Sequence, residues 1–450
     1  MEQKFSPEEW ETCLKVLNAL KDNPFENPDN QSFKTLITSI YKQAKKLNKK
    51  EAGDARKSED NALLSNISIV ANAQNKTTHF SHIDVPHAVP GELNNAKKCY
   101  CCDALFTTTH FFYHKLCPAC ADFNYRQRNK THEFSGYNVV ITGGRVKIGY
   151  AAVLKFLRAN AMVILTTRFP ALALNELSRE HDYESWKDNL TVYGLDLRNL
   201  KAVQQFIDFC NREFNYLDIL VNNAAQTIKY PLDYYRPLIG RENQLLLNFK
   251  GNKLLRNETP LSFREDHLLP PGEERHADIN RFGQPVDHRD KNSWNSTLTD
   301  IELEELLEVN LINHISPYQL IGGLKPLMMQ SDKKERFIIN VTSSEGQFSY
   351  PFKTNYHPHT NMTKAALNML TRTSAMEFIK DSIFMTAVDV GWVSTGAVEN
   401  KREKQFADLK IPPLDPVDGA ARIVHPIEEI LNGDKSLFGV LLKNYEVVEW

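Results

Sequence analysis

Four cysteines form two Cys-x2-Cys pairs within a short segment that holds five of the seven cysteines of the chain. Each pair can present two thiolates to one ion, and soft thiolates in a tetrahedral set suit zinc. His110 and His114 lie between the pairs, so one of them could replace a cysteine. Because four protein ligands close the coordination sphere of zinc, we predict one structural zinc. The predicted ligands are Cys99, Cys102, Cys117 and Cys120.

A second stretch of residues has the order expected of a nucleotide site. Residues 138–149 read as a buried strand, a turn with glycines and the start of a helix. Glycine lets the backbone approach a pyrophosphate, and the amides and dipole of a helix N-terminus favour an anion. Such a turn alone is weak evidence, but three features follow it in order along the chain: Asp196, then Asn222–Ala225, then a helix that carries Asn310.

These motifs resemble the short-chain dehydrogenase/reductase (SDR) superfamily, and the resemblance runs from about Tyr137 to the C-terminus. The TGxxxGxG turn of the family aligns with Thr142–Gly149, its NNAG element with Asn222–Ala225, and its PGxVxT segment with Val390–Thr395. The resemblance implies a Rossmann-type fold with a nicotinamide cofactor. The cofactor contacts that it implies are Thr142, Gly143, Ile148, Gly149, Asp196, Leu197, Asn223, Ala224, Lys364, Gly391, Val393 and Thr395.

The choice between NAD(H) and NADP(H) follows from charge at the end of the second strand of this domain. An acidic residue there would bind the ribose 2′-hydroxyl of NAD, whereas an arginine accommodates a 2′-phosphate. The strand ends in Thr166-Thr167-Arg168, without a carboxylate, and Arg145 and Lys147 add positive charge in the turn. We therefore predict that NADP(H) is preferred over NAD(H).

Two positions depart from the family pattern. Lys147 replaces the middle glycine of the turn, so the backbone there must tolerate a side chain or follow a slightly different path. The family also places a tyrosine four residues before a lysine, and the lysine lowers the pKa of the phenol for proton exchange with the substrate. The lysine corresponds to Lys364, but Thr360 stands at the position of the tyrosine.

Three interpretations of the altered site stay open. Tyr356 or His359 could supply the proton in a rearranged site. Alternatively, Ser344, Thr360 and Lys364 could bind the substrate while only hydride transfer is catalysed. In the third, the site is redox-inactive and holds NADP(H) as a structural or sensing ligand.

The family resemblance supplies the remaining catalytic candidates, Asn310 and a serine that corresponds to Ser343 or Ser344. We predict an NADP(H)-dependent SDR-type oxidoreductase of a carbonyl or alcohol substrate. The alternative is a catalytically inactive NADP(H)-binding scaffold or sensor protein.

The elements that must position these residues alternate between apolar strands and helical stretches. Such βαβ alternation predicts a doubly wound parallel sheet of the α/β class with helices on both faces. The strands are predicted at Asn138–Thr142, Ala161–Thr167, Leu190–Leu195, Asp218–Asn222, Phe337–Val341 and Phe384–Asp389.

Three regions precede or form this fold. Residues 1–92 are predicted as a helical N-terminal region plus a polar linker. One helix is predicted to begin at the capping box Ser6–Glu9 and another to span Ser32–Leu47, and the linker with a short element is predicted from Glu51 to Glu92. Residues 93–132 are predicted as the zinc-binding module, and residues 133–450 as the SDR-like domain. A long charged insertion at about 226–297 interrupts that domain without clear periodicity, and it could close over an anionic substrate.

Composition excludes several classes of protein. The 450 residues are 42 % hydrophobic and 24 % charged, as in soluble globular proteins, and the formal net charge of -2 gives no basic excess for nucleic acid. No apolar run reaches the length of about 18 residues needed for a membrane span. The acidic, polar start is unlike a signal peptide, and the clustered cysteines favour a reducing compartment. We therefore expect a cytoplasmic protein.

The expected partners follow from the same observations. We expect a small-molecule substrate of unknown identity, and neither a membrane nor a nucleic acid. The N-terminal helices and the insertion are candidate surfaces for a protein partner, and a homo-oligomer is also open.

Overall fold

The structure is a computed structural model that describes residues 4–25, 28–74, 89–257, 279–280, 282–351 and 353–450. The chain forms two compact units. One holds Met1–Leu63 with Leu93–Asn95, and the other holds Leu64–Glu92 with Ala96–Trp450. Within the described ranges, no helix combines the length and the apolar character needed to cross a bilayer.

The first unit is mostly helical, with α1 at Pro7–Ala19 and α2 at Asn30–Ser65. α1 begins with a capping box, in which the Glu9 N–H donates to Ser6 Oγ and the Ser6 N–H donates to Glu9 Oε2.

The prediction of a linker from Glu51 onward is wrong as far as Ser65, because α2 continues through it. The part of α2 after Leu47 has no large apolar side chain from residue 48 to residue 61, so it shows no apolar stripe by which a helix could be predicted.

The second unit begins with a short helix and a small module that carries the cysteines. A two-stranded antiparallel sheet and one helix surround the Cys-x2-Cys pairs. These elements are α3 (Ser68–Gln74), β1 (Glu92–Lys98), β2 (Leu105–Thr108) and α4 (Pro118–Asn129). α4 begins directly after Cys117, with Pro118 at its first position, where the missing N–H costs no hydrogen bond.

A nine-stranded sheet forms the centre of the second unit, in the order β11-β10-β9-β8-β6-β3-β4-β5-β7. Neighbouring strands are parallel except β10 and β11. All six predicted strands are present, and three short strands at the two edges were not predicted. The strands are β3 (Asn138–Thr142), β4 (Met162–Thr167), β5 (Leu190–Gly194), β6 (Ile219–Asn222), β7 (Leu255–Arg256), β8 (Arg336–Thr342), β9 (Ile383–Asp389), β10 (Leu441–Lys443) and β11 (Glu446–Val448).

Helices cover both faces of this sheet, which confirms the predicted α/β Rossmann-type class. One apolar cluster joins α5 and α14 to the sheet, and another joins α8, α11 and α12 to the opposite face. The helices are α5 (Lys147–Leu157), α6 (Pro170–Leu177), α7 (Tyr183–Trp186), α8 (Leu200–Glu213), α9 (Leu232–Asn248), α10 (Leu303–Asn310), α11 (Ser316–Met329), α12 (Pro358–Phe378), α13 (Glu399–Ala407) and α14 (Pro416–Leu431). The strand order reverses between β3 and β6, and ligands bind at such a switch point in open α/β sheets.

The insertion between β6 and α10 contains regular structure that its sequence did not predict. α9 lies within it, and β7 adds to the edge of the sheet beside β5. Pro237 is the sixth residue of α9, and its missing N–H leaves out one hydrogen bond of the helix, the bond to the Asp233 carbonyl oxygen. Residues 258–278 of the insertion lie outside the described residues.

Candidate functional site

The glycine turn after β3 is joined directly to the residues that follow β6. Thr142 Oγ1 accepts hydrogen bonds from the N–H groups of Asn223 and Ala224, both at 3.0 Å. Asn223 Nδ2 donates to the carbonyl oxygens of Thr142 (3.0 Å) and Gly143 (3.3 Å). The two predicted cofactor motifs therefore meet at the switch point of the sheet.

Two glycines of the turn are required by its geometry. Gly143 has φ +71°, and a Cβ on Gly149 would lie 2.1 Å from the Gly143 carbonyl oxygen. Ile148, between Lys147 and Gly149, is half-buried at the start of α5. The absence of a side chain at Gly149 thus lets the start of α5 pack closely against the turn at Gly143.

Lys147 adopts the left-handed conformation, with φ +52°, at the position of the family's middle glycine. The chain therefore accepts a strained lysine rather than avoiding the left-handed region. The side chain lines a cavity of about 600 Å³, together with Val393, Thr395 and Arg402. Burial, and to a smaller extent Arg402, lowers the pKa of Lys147 to about 8. A cation in this cavity, beside the PGxVxT-like segment, is placed to meet a bound anion.

We expect Lys147→Gly to raise the free energy of unfolding by about 1 kcal/mol, because glycine adopts positive φ without strain. The same change should weaken NADPH binding, because it removes a positive charge from the cavity. Urea unfolding and nucleotide titration measure the two effects. Lys201→Gly, in the right-handed helix α8, is the matched control and should lower stability. If Lys147→Gly lowers the free energy of unfolding, the left-handed backbone of Lys147 is not strained.

Two arginines lie together against Phe169, at the ends of β3 and β4. Arg145 Cζ is 5.4 Å and Arg168 Cζ is 5.8 Å from the centre of the Phe169 ring. Arg168 Nη2 donates to the Tyr235 hydroxyl at 3.3 Å, and Arg145 Nη1 donates to the Gly283 carbonyl oxygen at 3.2 Å. Burial and then the charge of Arg168 lower the pKa of Arg145 to about 10. An anion bound between these guanidinium groups would remove their mutual repulsion.

Asp196 and Leu197 follow β5, as the family resemblance implies. Asp196 is buried, and although burial acts in the opposite direction, hydrogen bonds and charge from Arg198 lower its pKa. Arg198 Nη1 also donates to Glu308 at 3.3 Å. The Leu197 carbonyl oxygen accepts from Ser316 Oγ at 2.6 Å. The Asp196 carboxylate is thus engaged within the protein.

Ser344 follows β8, and Lys364 of α12 contacts the end of the same strand. Lys364 Nζ donates to the Val341 carbonyl oxygen at 2.7 Å, and burial lowers its pKa to about 8. Ser344 Oγ donates to Asp389 Oδ2 at 2.7 Å and accepts from Lys443 Nζ at 2.9 Å. The structure therefore gives Ser344, rather than Ser343, a polar network of its own.

Asp389 and Lys443 were not predicted from the sequence. They lie opposite each other in the register of β9 and β10, and Thr342 of β8 is the partner of Asp389 on its other side. The Asp389 side chain is buried, and burial raises its pKa even though Ser344, the Gly391 N–H and Lys443 act to lower it. A carboxyl group with a raised pKa keeps its proton to a higher pH than an ordinary aspartic acid does.

Thr360 and the two predicted proton donors, Tyr356 and His359, have different surroundings. Thr360 Oγ1 donates to the His357 carbonyl oxygen at 2.9 Å, and His359 Nε2 lies 3.1 Å from Glu305 Oε1. Tyr356 is 42 % exposed. Among the described residues, none of their hydrogen bonds reaches Ser344 or Lys364. The structure thus brings Ser344 and Lys364 to the end of β8 but does not join them by hydrogen bonds to the predicted proton donors.

Asn310 ends α10, where its Nδ2 donates to the Leu306 carbonyl oxygen at 2.7 Å. A π-helical turn, Leu311–Ile315, follows, and such turns often occur at functional sites. Within it, Asn313 accepts from the Gln226 N–H at 2.8 Å and donates to Thr363 Oγ1 at 2.9 Å. Asn313, which sequence reasoning missed, therefore links the segment after β6 to the helix that carries Lys364.

The four predicted zinc ligands come together in the small module. The Sγ atoms of Cys99, Cys102, Cys117 and Cys120 all lie within 4.8 Å of one another. The Cys117 N–H donates to Cys99 Sγ at 3.3 Å. Burial acts against ionisation, but N–H groups of Cys117, Cys102 and Cys101 lower the pKa of Cys99 to about 7. Thiols at this spacing, with amide donors aimed at one of them, fit a tetrahedral zinc site.

The two histidines of the cysteine loop lie in other surroundings. His110 Nδ1 accepts from the Phe112 N–H at 3.0 Å. His114 is buried, and burial, followed by the charges of Lys115 and Lys97, lowers its pKa to about 3. Among the described residues, the group of possible metal ligands in this module consists of the four cysteines and includes neither histidine.

Purified protein should contain about one equivalent of zinc, and Cys99→Ser or Cys117→Ser should reduce it, because each removes one of four thiolates. Elemental analysis by mass spectrometry measures the content. Cys13→Ser, which changes an exposed thiol of the first unit, is the matched control and should keep the metal. Folded wild-type protein without metal would show that the cluster is not a metal site.

Two family models match the sequence of the second unit. One is described as short chain dehydrogenase and matches residues 137–251; the other is described as enoyl-(acyl carrier protein) reductase and matches residues 289–412. Together they span more than half of the chain. The protein belongs to the SDR superfamily. The gap between the two matches, residues 252–288, falls in the insertion.

Curated relatives include characterised and uncharacterised proteins. The uncharacterised protein R665 of Acanthamoeba polyphaga mimivirus is 33 % identical over 353 residues, which are 74 % of this chain and 71 % of the viral protein. The chloroplastic chlorophyll(ide) b reductase NOL of rice is 31 % identical over 223 residues, which are 46 % of this chain and 62 % of that enzyme. Among solved structures, NADPH-bound carbonyl reductase from chicken fatty liver is 20 % identical, with a TM-score of 0.46, and the match covers 70 % of this chain and 100 % of that chain. This SDR protein therefore has oxidoreductases among its relatives.

Proposed function

We propose that this SDR protein is an NADP(H)-dependent oxidoreductase that acts on a carbonyl or alcohol substrate. The observation that carries the proposal is the convergence of three features at one end of the sheet. These are the glycine turn, the arginine pair Arg145 and Arg168, and the Ser344–Asp389–Lys443 network. The zinc module is proposed to hold one structural zinc through its four cysteines.

The arginine pair supports NADP(H) rather than NAD(H). Arg168 follows β4 directly, where an NAD-binding site would have a carboxylate, and it lies beside Arg145 against Phe169. A 2′-phosphate brings two negative charges to this place and can accept several charge-assisted hydrogen bonds. Lys147 adds a further cation on the cavity side of the turn.

The proposed chemistry needs a proton as well as a hydride. When bound, NADP(H) supplies or accepts the hydride at the substrate carbon. For reduction, Asp389 would be protonated and its Oδ2 hydroxyl would donate to Ser344 Oγ, 2.7 Å away, which reverses the hydrogen bond of the ionised carboxylate. Ser344 Oγ would then give its own proton to the carbonyl oxygen and take the proton of Asp389. The carboxyl group is then ionised and regains its proton from solvent. Lys443 Nζ, which donates to Ser344 Oγ, fixes the orientation of the hydroxyl during this transfer.

This route replaces the missing phenol without a rearrangement of α12. Thr360 occupies the position of the tyrosine, but an aliphatic hydroxyl is too weak an acid to act alone, and its hydrogen bonds lie with His357. Asp389 has a pKa raised by burial and lies one hydrogen bond from Ser344. Lys364 keeps its place beside Val341 and, by family resemblance, would contact the nicotinamide ribose.

A non-catalytic NADP(H)-binding scaffold or sensor is the second candidate function. The observation in its favour is Thr360, because the family reaction uses a phenol at that position. The two functions differ in turnover but share nucleotide binding.

The first experiment is a titration of the full-length protein with NADPH and NADH, followed by nicotinamide fluorescence. We expect NADPH to bind more tightly than NADH, and Gly143→Asp to abolish binding, because an added side chain meets Ala224 within 3.0 Å. Near-ultraviolet circular dichroism verifies that the variant is folded. Absence of binding by either nucleotide to folded wild-type protein would overturn the proposed function.

A further inference from the structure

The cysteine loop contacts the segment that follows β9 through Tyr100, which lies between the proposed ligands Cys99 and Cys102. The Trp392 N–H donates to the Tyr100 hydroxyl at 2.8 Å. Lys115, from the same module, has its Nζ 4.5 Å from the centre of the Trp392 ring and donates to the Ile411 carbonyl oxygen at 2.7 Å. Trp392 lies between Gly391 and Val393, two predicted cofactor contacts.

The backbone at Gly391 depends on this contact. Gly391 has φ +81°, and a Cβ there would lie 2.6 Å from Leu414 Cδ1 and 3.3 Å from the Tyr100 hydroxyl. Leu414 and the Tyr100 hydroxyl therefore both lie close to the face of Gly391 from which a side chain would project. Because Val393 and Thr395 line the cavity next to this turn, a shift of Tyr100 moves part of the cavity wall.

The rest of the module holds the beginning of α14. Arg128 donates to Asp415 (2.9 Å) and Asp418 (3.0 Å), and the Tyr113 hydroxyl donates to Asp418 at 2.6 Å. These groups are mostly buried, so they form one rigid support. Asp415 and Ile411 also line the cavity. The module thus supports the cavity wall at two places, Trp392 and the start of α14.

The position of Tyr100 depends in turn on the cysteine loop. The Tyr100 N–H donates to the Lys115 carbonyl oxygen at 2.8 Å. Tyr100 also lies in a turn that is closed by the Asp103 N–H, which donates to the Cys99 carbonyl oxygen at 3.1 Å. Tyr100 lies between two of the proposed ligands, so a metal bound by Cys99 and Cys102 would fix the backbone on both sides of it.

We propose that metal bound by the four cysteines controls the nucleotide affinity of the SDR site, with Tyr100 as the positioning residue that connects the two. The inference rests on the proposed function, because it assigns a means of regulation to the same cavity. Loss of the metal disorders the loop around Tyr100, releases the Trp392 N–H and lowers affinity for NADPH. By thermodynamic linkage, bound NADPH raises the affinity for zinc by the same factor.

The test compares Tyr100→Phe with Tyr125→Phe in the full chain. Tyr125 belongs to the same module but packs against His110, Phe111 and Phe112, away from the segment after β9. Tyr100→Phe should bind NADPH roughly five-fold more weakly at unchanged zinc content, the expected effect of one net hydrogen bond. Tyr125→Phe should bind NADPH as the wild type does. NADPH should slow zinc transfer to a chromogenic chelator in wild type and do so less in Tyr100→Phe.

Hydrogen exchange of the 390–395 segment without nucleotide separates this inference from the proposed function. Faster exchange in Tyr100→Phe, but not in Tyr125→Phe, supports the coupling even if no nucleotide binds. Unchanged exchange and unchanged NADPH affinity in Tyr100→Phe would overturn it. So would zinc-free, folded protein that binds NADPH as tightly as the zinc-loaded form.

Discussion

Arg168→Asp should bind NADPH about 100-fold more weakly than the wild type and should bind NADH at least as well. Arg168 follows β4, and its guanidinium lies against the rings of Phe169 and Tyr235. Loss of its charge-assisted hydrogen bonds to a 2′-phosphate costs about 1.5–3 kcal/mol, and the new carboxylate repels the phosphate while it can accept from the ribose hydroxyls of NADH. Titration of both nucleotides by fluorescence measures the reversal.

Arg372→Asp is the matched control for this change, because Arg372 is exposed on α12 and the substitution alters net charge equally. It should leave the preference for NADPH unchanged. If Arg168→Asp still prefers NADPH over NADH, the arginine pair is not the phosphate site, and the assignment of cofactor specificity is wrong.

Asp389→Asn should lower carbonyl reduction by about 100-fold or more, the usual contribution of general acid catalysis. Asparagine keeps the size of the side chain and can still hydrogen-bond to Ser344, but it has no proton to release. In wild type, Asp389 delivers a proton only while it is protonated. The rate should therefore fall as pH rises through its raised pKa, and this dependence should be lost in Asp389→Asn. NADPH oxidation with phenanthrenequinone as a carbonyl probe measures both rate and pH profile.

Controls for this prediction separate the proposed route from its competitors. Asp188→Asn changes an exposed carboxylate and should leave the rate unchanged. His359→Gln and Tyr356→Phe should each retain most of the turnover, because His359 pairs with Glu305 and Tyr356 is exposed, and neither belongs to the Ser344–Asp389–Lys443 network. Loss of turnover in either variant, with Asp389→Asn active, would assign the proton to that residue. Nucleotide binding without turnover of any carbonyl in wild type would favour the scaffold.

The cofactor half of the site could be predicted because its determinants are local in sequence. Thr142–Gly149 and Asn222–Ala225 are short runs in which residue type reports the backbone path, and the structure places them in contact. The six central strands were predictable for a similar reason, since each is a continuous apolar run. β7, β10 and β11 contain only two or three residues each, too few for a recognisable pattern.

The proton-transfer half could not be predicted, because strand register rather than sequence spacing assembles it. Ser344 follows β8, whereas Asp389 and Lys443 are the last residues of the neighbouring strands β9 and β10. They are separated from Ser344 by 45 and 99 residues. Nothing in the sequence reports that Lys443 lies opposite Asp389, because β10 is too short to be recognised. The length of α2 was underestimated for another reason, since residues 48–61 of this helix have no apolar periodicity to detect.

Arg128 and Asp415 are separated by 287 residues, and this distance has a consequence for biosynthesis. Arg128, Tyr113 and Tyr100 leave the ribosome long before the residues that they contact. Contacts between such distant parts of a chain form late, because loop closure costs entropy before the contacts repay it. The cysteine loop is therefore complete during synthesis while its contact surface stays open to solvent. Only the emergence of α14 closes that surface, so a nascent chain stalled before α14 presents the buried arginine to water and to chaperones.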